Sequence, residues 1–292
     1  MIEWHSLVGT PLAPFVGPFP HRPFLEASAR CGSGDPLVVS DGENAMAVVV
    51  IDGVVQFVGE HHLTDYHSPL GSDTDALVAL LIADLGALQF GLDSLPREAA
   101  DPLAAAFGAA GRSVEQMPDE SCLVIDLSDI KGEDWESSLR SKHRHEVRRK
   151  RRRYEEARGT PVFGSGFEHF DSFVALHRSS RGDKGGFMTD AVEGFFAELL
   201  LVPGAQLDVL LRDGAVEAAA FGFEDADGYY LYNSAYDNAV ADLSPGIILV
   251  DYLIGRTLSR GLGRFDFLKG EEIYKRRLGA QERPLFRLEV AA

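Results

Sequence analysis

Apolar residues early in the chain fall in short runs, LVVS at 37–40, AMAVVVI at 45–51 and VVQFVG at 54–59, with Gly, Asp and Asn between them. Short runs broken by turn formers predict β-strands joined by tight turns. The pattern then changes: Leu77, Leu80, Leu81 and Leu85 recur at helical spacing between Asp73 and Leu88, with Asp73 as N-cap. LQFGLDSL reads as a further strand, Arg97 to Ala110 as a second helix and SCLVIDLS as the strand after it.

The second half opens with a polar turn near Asp129 and one long helix from about Trp135 to Ala157, stopped by Gly159, Thr160 and Pro161. A helix carrying Phe170, Phe173, Val174, Leu176 and His177 follows, then a loop RGDKGGF at 181–187 suited to a lid, then a helix through Phe195, Phe196 and Leu199. Three strands come next, LDVLLR, AVEAAAFGFE and GYYLYNSAYD, with hairpin turns at Arg212-Asp213-Gly214 and Asp225 to Gly228. A loop ending Ser244-Pro245-Gly246 leads to a helix Ile247 to Arg260, a strand RFDFL, a short helix EEIYKRRLG and a terminal strand PLFRLEV.

The order of hairpin strands, Ser-Pro start, helix and strand occurs twice, because VVQFVGEHHLTDYHSPLG precedes the first-half helix and the strand LQFGLD. The chain therefore reads as internally duplicated, with modules at 1–128 and 129–292. Each is expected to be α/β (α+β), a mixed and mainly antiparallel sheet flanked by helices. At 292 residues and 45% hydrophobic content, two cores are affordable.

No stretch of about 18 or more uncharged apolar residues occurs, and Met1 to Phe15 lacks the basic-then-apolar form of a secretory signal. The expectation is a cytoplasmic protein without membrane insertion. Cys31 and Cys122 lack redox or zinc spacing and read as buried free thiols. The net charge of −17 argues against broad nucleic-acid binding, but it is uneven. Arg140 to Arg158 holds ten Lys and Arg against three Glu, a local charge of +7 that leaves −24 elsewhere. That helix is a solvated face, a contact for a polyanion, or a site for ligand phosphates; Arg144, Arg148, Arg149 and Arg152 are the residues expected to meet anionic partners.

Ser244-Pro245-Gly246 places small residues and a proline at the start of an amphipathic helix, where backbone N–H groups at the positive end of the helix dipole suit a pyrophosphate. The same residues also fit a plain helix cap. In the ending GLGRFDFLKGEEIYKRRLG, Tyr274 and Lys275 sit early in a short helix, where a phenol can protonate a departing thiolate and an ammonium can offset charge on a tetrahedral intermediate. A core tyrosine beside a solvated lysine fits equally. His177 and Arg181 are four apart on one predicted helix, so the pair offers a base and an anion clamp, or an ordinary surface pair. His61, His62 and His67 come without Cys or HExxH spacing and read as structural histidines, with no metal expected.

The basic helix LRSKHRHEVRRKRRRYE, FVALHRSSRGDKGGF, YLYNSAYDNAVADLSPGIILVDYLI and DFLKGEEIYKRRLG, in that order over Leu139 to Gly279, resemble the GNAT-fold acetyltransferases similar to the cellulose-biosynthesis acetyltransferase. These are related to the Fem peptidyltransferases of cell-wall assembly. The N-terminal half resembles the degenerate first copy of a tandem GNAT pair, through DYHSPLG. The resemblance implies that the helix start Ser244, Pro245, Gly246 and Ile247 holds the pyrophosphate of coenzyme A, and that Tyr236 lies near splayed strands admitting the pantetheine arm. It makes Tyr274 the proton donor, Lys275 the charge stabiliser, and Asp266 with Gly270 part of that motif. His177 and Arg181 match the family's LHxxR segment, and Asp65 and Tyr66 a DY pair at the acceptor side. The Gln/Arg-x-x-Gly-x-Gly/Ala loop of single-domain GNAT enzymes is missing here.

The implied activity is transfer of an acetyl or other acyl group from acyl-CoA, as co-substrate, to the primary amine of a small molecule or of a sugar or amino acid derivative, in polysaccharide biosynthesis or secondary metabolism. Two rivals share the fold: a Fem-like transferase whose donor is an aminoacyl-tRNA, and an inactive binding or assembly subunit of a polysaccharide machine.

Overall fold

Asp-Gly pairs set two hairpins of this chain, because a two-residue turn of that kind needs positive φ at both positions. Asp52 and Gly53 take φ of 51° and 79°, and Asp213 and Gly214 take 49° and 83°. A computed structural model gives the fold; it describes every residue except Met1, Ile2, Lys131, Glu133, Arg181 and Gly182. In chain order the elements are α1 (Arg22–Cys31), β1 (Pro36–Ser40), β2 (Ala45–Ile51), β3 (Val54–Phe57), α2 (Thr74–Leu85), β4 (Gln89–Pro96), α3 (Arg97–Ala109) and β5 (Val114–Asp126). They continue with α4 (Ser141–Arg158), β6 (Val162–Ser165), α5 (Phe170–Arg178), α6 (Asp183–Phe187), α7 (Asp190–Leu199), β7 (Ala205–Arg212), β8 (Ala215–Glu224), β9 (Gly228–Tyr236), α8 (Pro245–Ser259), β10 (Arg264–Lys269), α9 (Ile273–Arg277) and β11 (Gln281–Val290).

Two compact units result, Met1–Cys122 with Arg283–Ala292, and Leu123–Glu282. The division falls inside β5, after Cys122, where its polar first part gives way to the apolar run Cys122–Ile125, and the residues from Arg283 onward cluster with the first unit. In the first unit β1, β2 and β3 are antiparallel, β3 and β4 parallel, and β4 and β11 antiparallel. Ala45, Ala47, Val49 and Leu70 pack with Leu7 and Leu25 in one of its clusters. In the second unit β6 to β9 form an antiparallel run and β10 lies parallel to β9. Its core gathers Leu249, Leu253 and Ile254 of α8 with Ala218, Ala220, Tyr229 and Phe265 of the sheet. The strands of each unit are thus mixed and mainly antiparallel, with helices against them, as the sequence pattern implies.

Three local outcomes differ from the pattern. The helix expected from Trp135 is interrupted: Trp135–Ser138 is a 3-10 turn, Leu139 and Arg140 are extended, and α4 starts at Ser141. Ser137 and Ser138 hydroxyls donate to the carbonyls of Asp134 and Trp135, a local bonding that competes with the helix. α1, with Pro23 in its first turn, and the short strand β6 carry too little periodicity to be read from sequence. The segment at 181–187 contains the helix α6 where a loop is expected. Of the two thiols, Cys122 is buried as expected, whereas Cys31, the last residue of α1, is exposed.

α4 buries only Val147 and Tyr154, so a charged network holds it in place. Arg148 pairs with Glu136 at 2.7 Å, and Arg151 bonds both Glu136 and Asp251, whose other oxygen accepts from the Trp135 indole at 3.2 Å. Burial pushes the Asp251 carboxyl up and the Arg151 charge opposes that rise. Removing either partner would leave a charge buried without its counterpart.

Candidate functional site

The site begins where two parallel strands stop pairing. β9 and β10 share register only over Gly228–Tyr230 and Arg264–Asp266. Beyond this Leu268 takes φ of 59°, a positive value rare for a leucine, and its N–H donates to Asp266 Oδ1 at 2.8 Å. Asp266, fully buried, therefore satisfies an amide that a regular ladder would have given to the neighbouring strand. Past that point β9 and β10 both line a cavity of about 340 Å³, β9 through Leu231 to Ser234 and β10 through Phe267 and Lys269.

His177, Phe187, Glu272, Tyr274 and Lys275 complete the lining, so three of the sequence candidates meet in one cavity. Tyr274 is half-buried, edge-on to Phe267 with centroids 6.0 Å apart. Burial, with the Glu272 charge added, pushes its phenol well above the usual tyrosine range, so it stays protonated and available as a donor. His177 is buried, with Phe173 edge-on at 4.8 Å and Phe187 at 6.3 Å. Lys275 is 4% exposed; its Nζ donates to the carbonyls of Lys269 at 2.8 Å and Phe267 at 3.2 Å and pairs with Glu272 at 2.9 Å. Gly270, at φ of 111°, brings a third carbonyl to 3.4 Å, and a Cβ there would stand 2.9 Å from Nζ. Lys275 thus ties the β10–α9 turn that presents Tyr274. Its charge is spent first on carbonyls and a carboxylate of its own unit.

The other candidates lie elsewhere. Tyr236, 40% exposed, is two residues past Ser234 on β9, and Gly246 packs against its ring, with 3.2 Å from a Cβ to the ring edge. At the start of α8, Ser244 is left-handed with φ of 59° and ψ of 47°, makes no side-chain cap, and is followed by Pro245. Its N–H goes to Ala241 O and the Ile247 N–H to Ser244 O, both at 3.0 Å, so of the four positions read as a cradle these two amides are engaged within the chain. Asp266 lies behind the cavity wall. Asp65 and Tyr66 belong to the first unit; the Tyr66 ring is fully buried, near Phe19 at 6.0 Å with the Arg283 guanidinium 4.9 Å above it, which leaves it no surface for a substrate. Arg181 lies outside the described residues.

Sequence reasoning passed over Lys150, whose Nζ donates to Ser244 Oγ at 3.1 Å. Burial lowers its pKa, and the charges of Arg149 and Arg277 add to the drop while Glu146 opposes it. The signal was its place in the basic run, seven residues after His143 on the helix, but nothing local tied it to Ser244. Of the arginines singled out, Arg148 pairs with Glu136 and Asp134 and Arg144 donates to Ser137 O. Arg149 and Arg152 are exposed, with no ion pair among the described residues.

Residues 141–276 match the family model described as acetyltransferase (GNAT) domain. No curated protein matches the chain. Among solved structures it is similar to FemX, with 12% identity, a TM-score of 0.66, and 97% of this chain and 93% of that one covered. It is also similar to L-PGS from Bacillus licheniformis, with 13% identity, a TM-score of 0.58 and coverage of 97% and 93%. A tandem GNAT protein from the clavulanic acid biosynthesis pathway aligns over 99% and 93% of the two chains, with 13% identity and a TM-score of 0.50. The α/β fold of the chain is therefore GNAT-like, with the match to the acetyltransferase (GNAT) domain model confined to residues 141–276.

Proposed function

We propose that the second unit is an N-acyltransferase moving an acetyl or other acyl group from a coenzyme A thioester to the primary amine of a small acceptor, such as a sugar or amino acid derivative. The observation that carries this reading is the parting of β9 from β10 around a cavity lined by a protonated phenol and a buried histidine. The donor's thioester would enter between the parted strands, and its phosphates would lie at the start of α8, where Ser244 leaves the helix end without a carboxylate cap and Lys150 adds a positive charge.

In the reaction His177 takes one proton from the acceptor ammonium, freeing the amine to attack the thioester carbonyl. The C–N bond forms, the C–S bond breaks, and Tyr274 gives its proton to the leaving thiolate. The second amine proton returns to the Tyr274 phenolate, and the proton on His177 leaves to solvent. Asp266 and Lys275 act by position: one maintains the strand bend, the other the turn that carries Tyr274. Thioesters are already activated, so holding the reactants in register and presenting amides to the oxyanion supply most of the gain.

One feature favours a second reading, transfer from an aminoacyl-tRNA. Lys142, His145, Arg149 and Arg152 recur three or four apart on α4, all exposed, a cationic stripe suited to a polyanion. A thermal-shift series with acetyl-CoA, longer acyl-CoAs and free coenzyme A, joined to thiol release with a panel of amines, tests the proposal. Ligand at a hundred times its Kd should stabilise the fold by about 2.7 kcal/mol. No shift with any acyl-CoA overturns the first reading; salt-sensitive binding of charged tRNA in its place would establish the second.

A further inference from the structure

The first unit brings three metal-ligating side chains from separate segments to one point. His61 follows β3, Asp93 lies in β4 and Asp119 in β5, and one ligand atom from each falls within 4.8 Å of the other two. His61 Nε2 is 3.4 Å from Asp119 Oδ1 and 3.9 Å from Asp93 Oδ2. The remaining oxygen of each carboxylate is held from behind. Asp93 Oδ1 is 2.8 Å from Nδ1 of His67, which is 3% exposed and stacked on Phe57 at 4.6 Å. Asp119 Oδ2 accepts the Ser94 N–H at 2.9 Å. With those rear contacts made, the front oxygens lie by the imidazole, and His61 and Asp93 also line a cavity of about 250 Å³.

We propose that His61 Nε2, Asp93 Oδ2 and Asp119 Oδ1 form a site for one divalent first-row cation of the Zn²⁺ type, with water from the cavity completing its coordination. One imidazole nitrogen with two carboxylate oxygens is a donor set such ions accept. Ligands at about 2.0–2.2 Å from a metal stand roughly 3.0–3.6 Å from one another, so separations of 3.4 and 3.9 Å close onto an ion with small side-chain movement. His67 and the Ser94 amide play the orienting part that outer partners play around metals. Charge points the same way. Asp93 and Asp119, 15% and 14% exposed, bring two carboxylates to His61, with the His67 imidazole behind Asp93. Arg287, the nearby cation whose charge both carboxylates support, is bonded to Glu289. A dication at this point would meet two carboxylates of opposite charge.

The full chain, stripped with chelator, is titrated with Zn²⁺ by calorimetry and with Co²⁺ by visible absorption. One equivalent should bind, and Zn²⁺ should raise the melting temperature. His61→Ala and Asp119→Asn should each weaken binding at least tenfold, His67→Phe by about tenfold, and His62→Ala should leave it unchanged. Circular dichroism of the stripped variants separates lost binding from lost folding, and the wild-type titration stands without any variant. Failure of the wild type to bind one equivalent, or binding that survives in both His61→Ala and Asp119→Asn, overturns the site. Neither readout uses turnover, so the result is independent of the acyl-transfer reading.

Discussion

The two units contain the same succession of antiparallel hairpin, helix and parallel strand, and they differ most at the first turn of that helix. β2 and β3 lead to α2 and then to β4; β8 and β9 lead to α8 and then to β10. Even the irregularity in the parallel strand recurs. Ser94 in β4 and Leu268 in β10 have φ of 56° and 59°, and in each case an aspartate carboxylate accepts the displaced N–H. At the helix start the copies part company. In α2 the Asp73 carboxylate accepts the Ala76 N–H at 3.0 Å, so the chain places its own anion at the positive end of the helix. In α8 that position belongs to Ser244, left-handed and without a side-chain cap, with an ammonium beside it. A helix end that is self-neutralised has no need of a phosphate. One that carries a cation and no carboxylate has room for it. The strand after each helix diverges too, β4 running into the long α3 and β10 into the short α9 that holds Tyr274.

The largest effect should come from the element that only the second copy has. Tyr274→Phe keeps the ring against Phe267 and removes the proton, so kcat should fall by about 10²–10⁴-fold with the fold intact. Unchanged turnover would remove the phenol from the chemistry and leave α9 with no advantage over α3. The pH dependence sharpens the test. The folded-state phenol titrates above its unfolded value, so its contribution to stability is complete below about pH 10 and declines as pH rises beyond that. No alkaline loss of activity below that range should come from Tyr274, and chemical-denaturation midpoints between pH 8 and 10.5 would reveal the stability term.

Exchanging the caps should come next in size. Ser244→Asp imports the carboxylate of the first copy, which tolerates the left-handed backbone and puts an anion where the donor's phosphates are proposed to lie. Acyl-CoA affinity should drop about tenfold or more, a change of roughly 1.4 kcal/mol, while thermal stability holds or rises. The reciprocal Asp73→Ser should create no acyl-CoA binding in the first unit. Calorimetric titration of both variants decides it: equal affinity in Ser244→Asp would show that the cap does not distinguish the copies.

Much of this contrast was visible in the chain before its structure. Asp73 as N-cap, Ser-Pro-Gly at the second helix, the strand succession and the Tyr274–Lys275 pair all follow from local chemistry, and local chemistry is what sequence carries. What escaped were meetings across long separations. Lys150 and Ser244 are 94 residues apart, and His61 and Asp119 are 58 apart. The role of Lys275 escaped for a different reason. A lysine beside a tyrosine suggests charge offered to a substrate, and only the fold reveals three carbonyls and Glu272 gathered around its Nζ. Tyr66 shows the opposite error: a motif likeness placed it at an acceptor site, while the packing of Phe19 and Arg283 encloses it.

Lys150 gives the smallest and most selective test of the difference between the helix ends. Burial holds its pKa below the ordinary lysine value, so the folded state favours the neutral amine more than the unfolded chain does. The sign follows: the charged form costs stability at neutral pH, and that cost fades as pH rises through the lowered folded value toward about 10.5. A bound phosphate reverses the balance by favouring the ammonium, so donor binding should draw in a proton within that alkaline window. Calorimetry in two buffers of different ionisation heat measures the uptake. Lys150→Met should abolish it, weaken acyl-CoA by roughly threefold, reduce the salt dependence of binding, and leave the unliganded chain no less stable. Proton uptake that persists in Lys150→Met would show that another group takes up the proton when the donor binds, and Lys150 would then lose its assigned place at the α8 end.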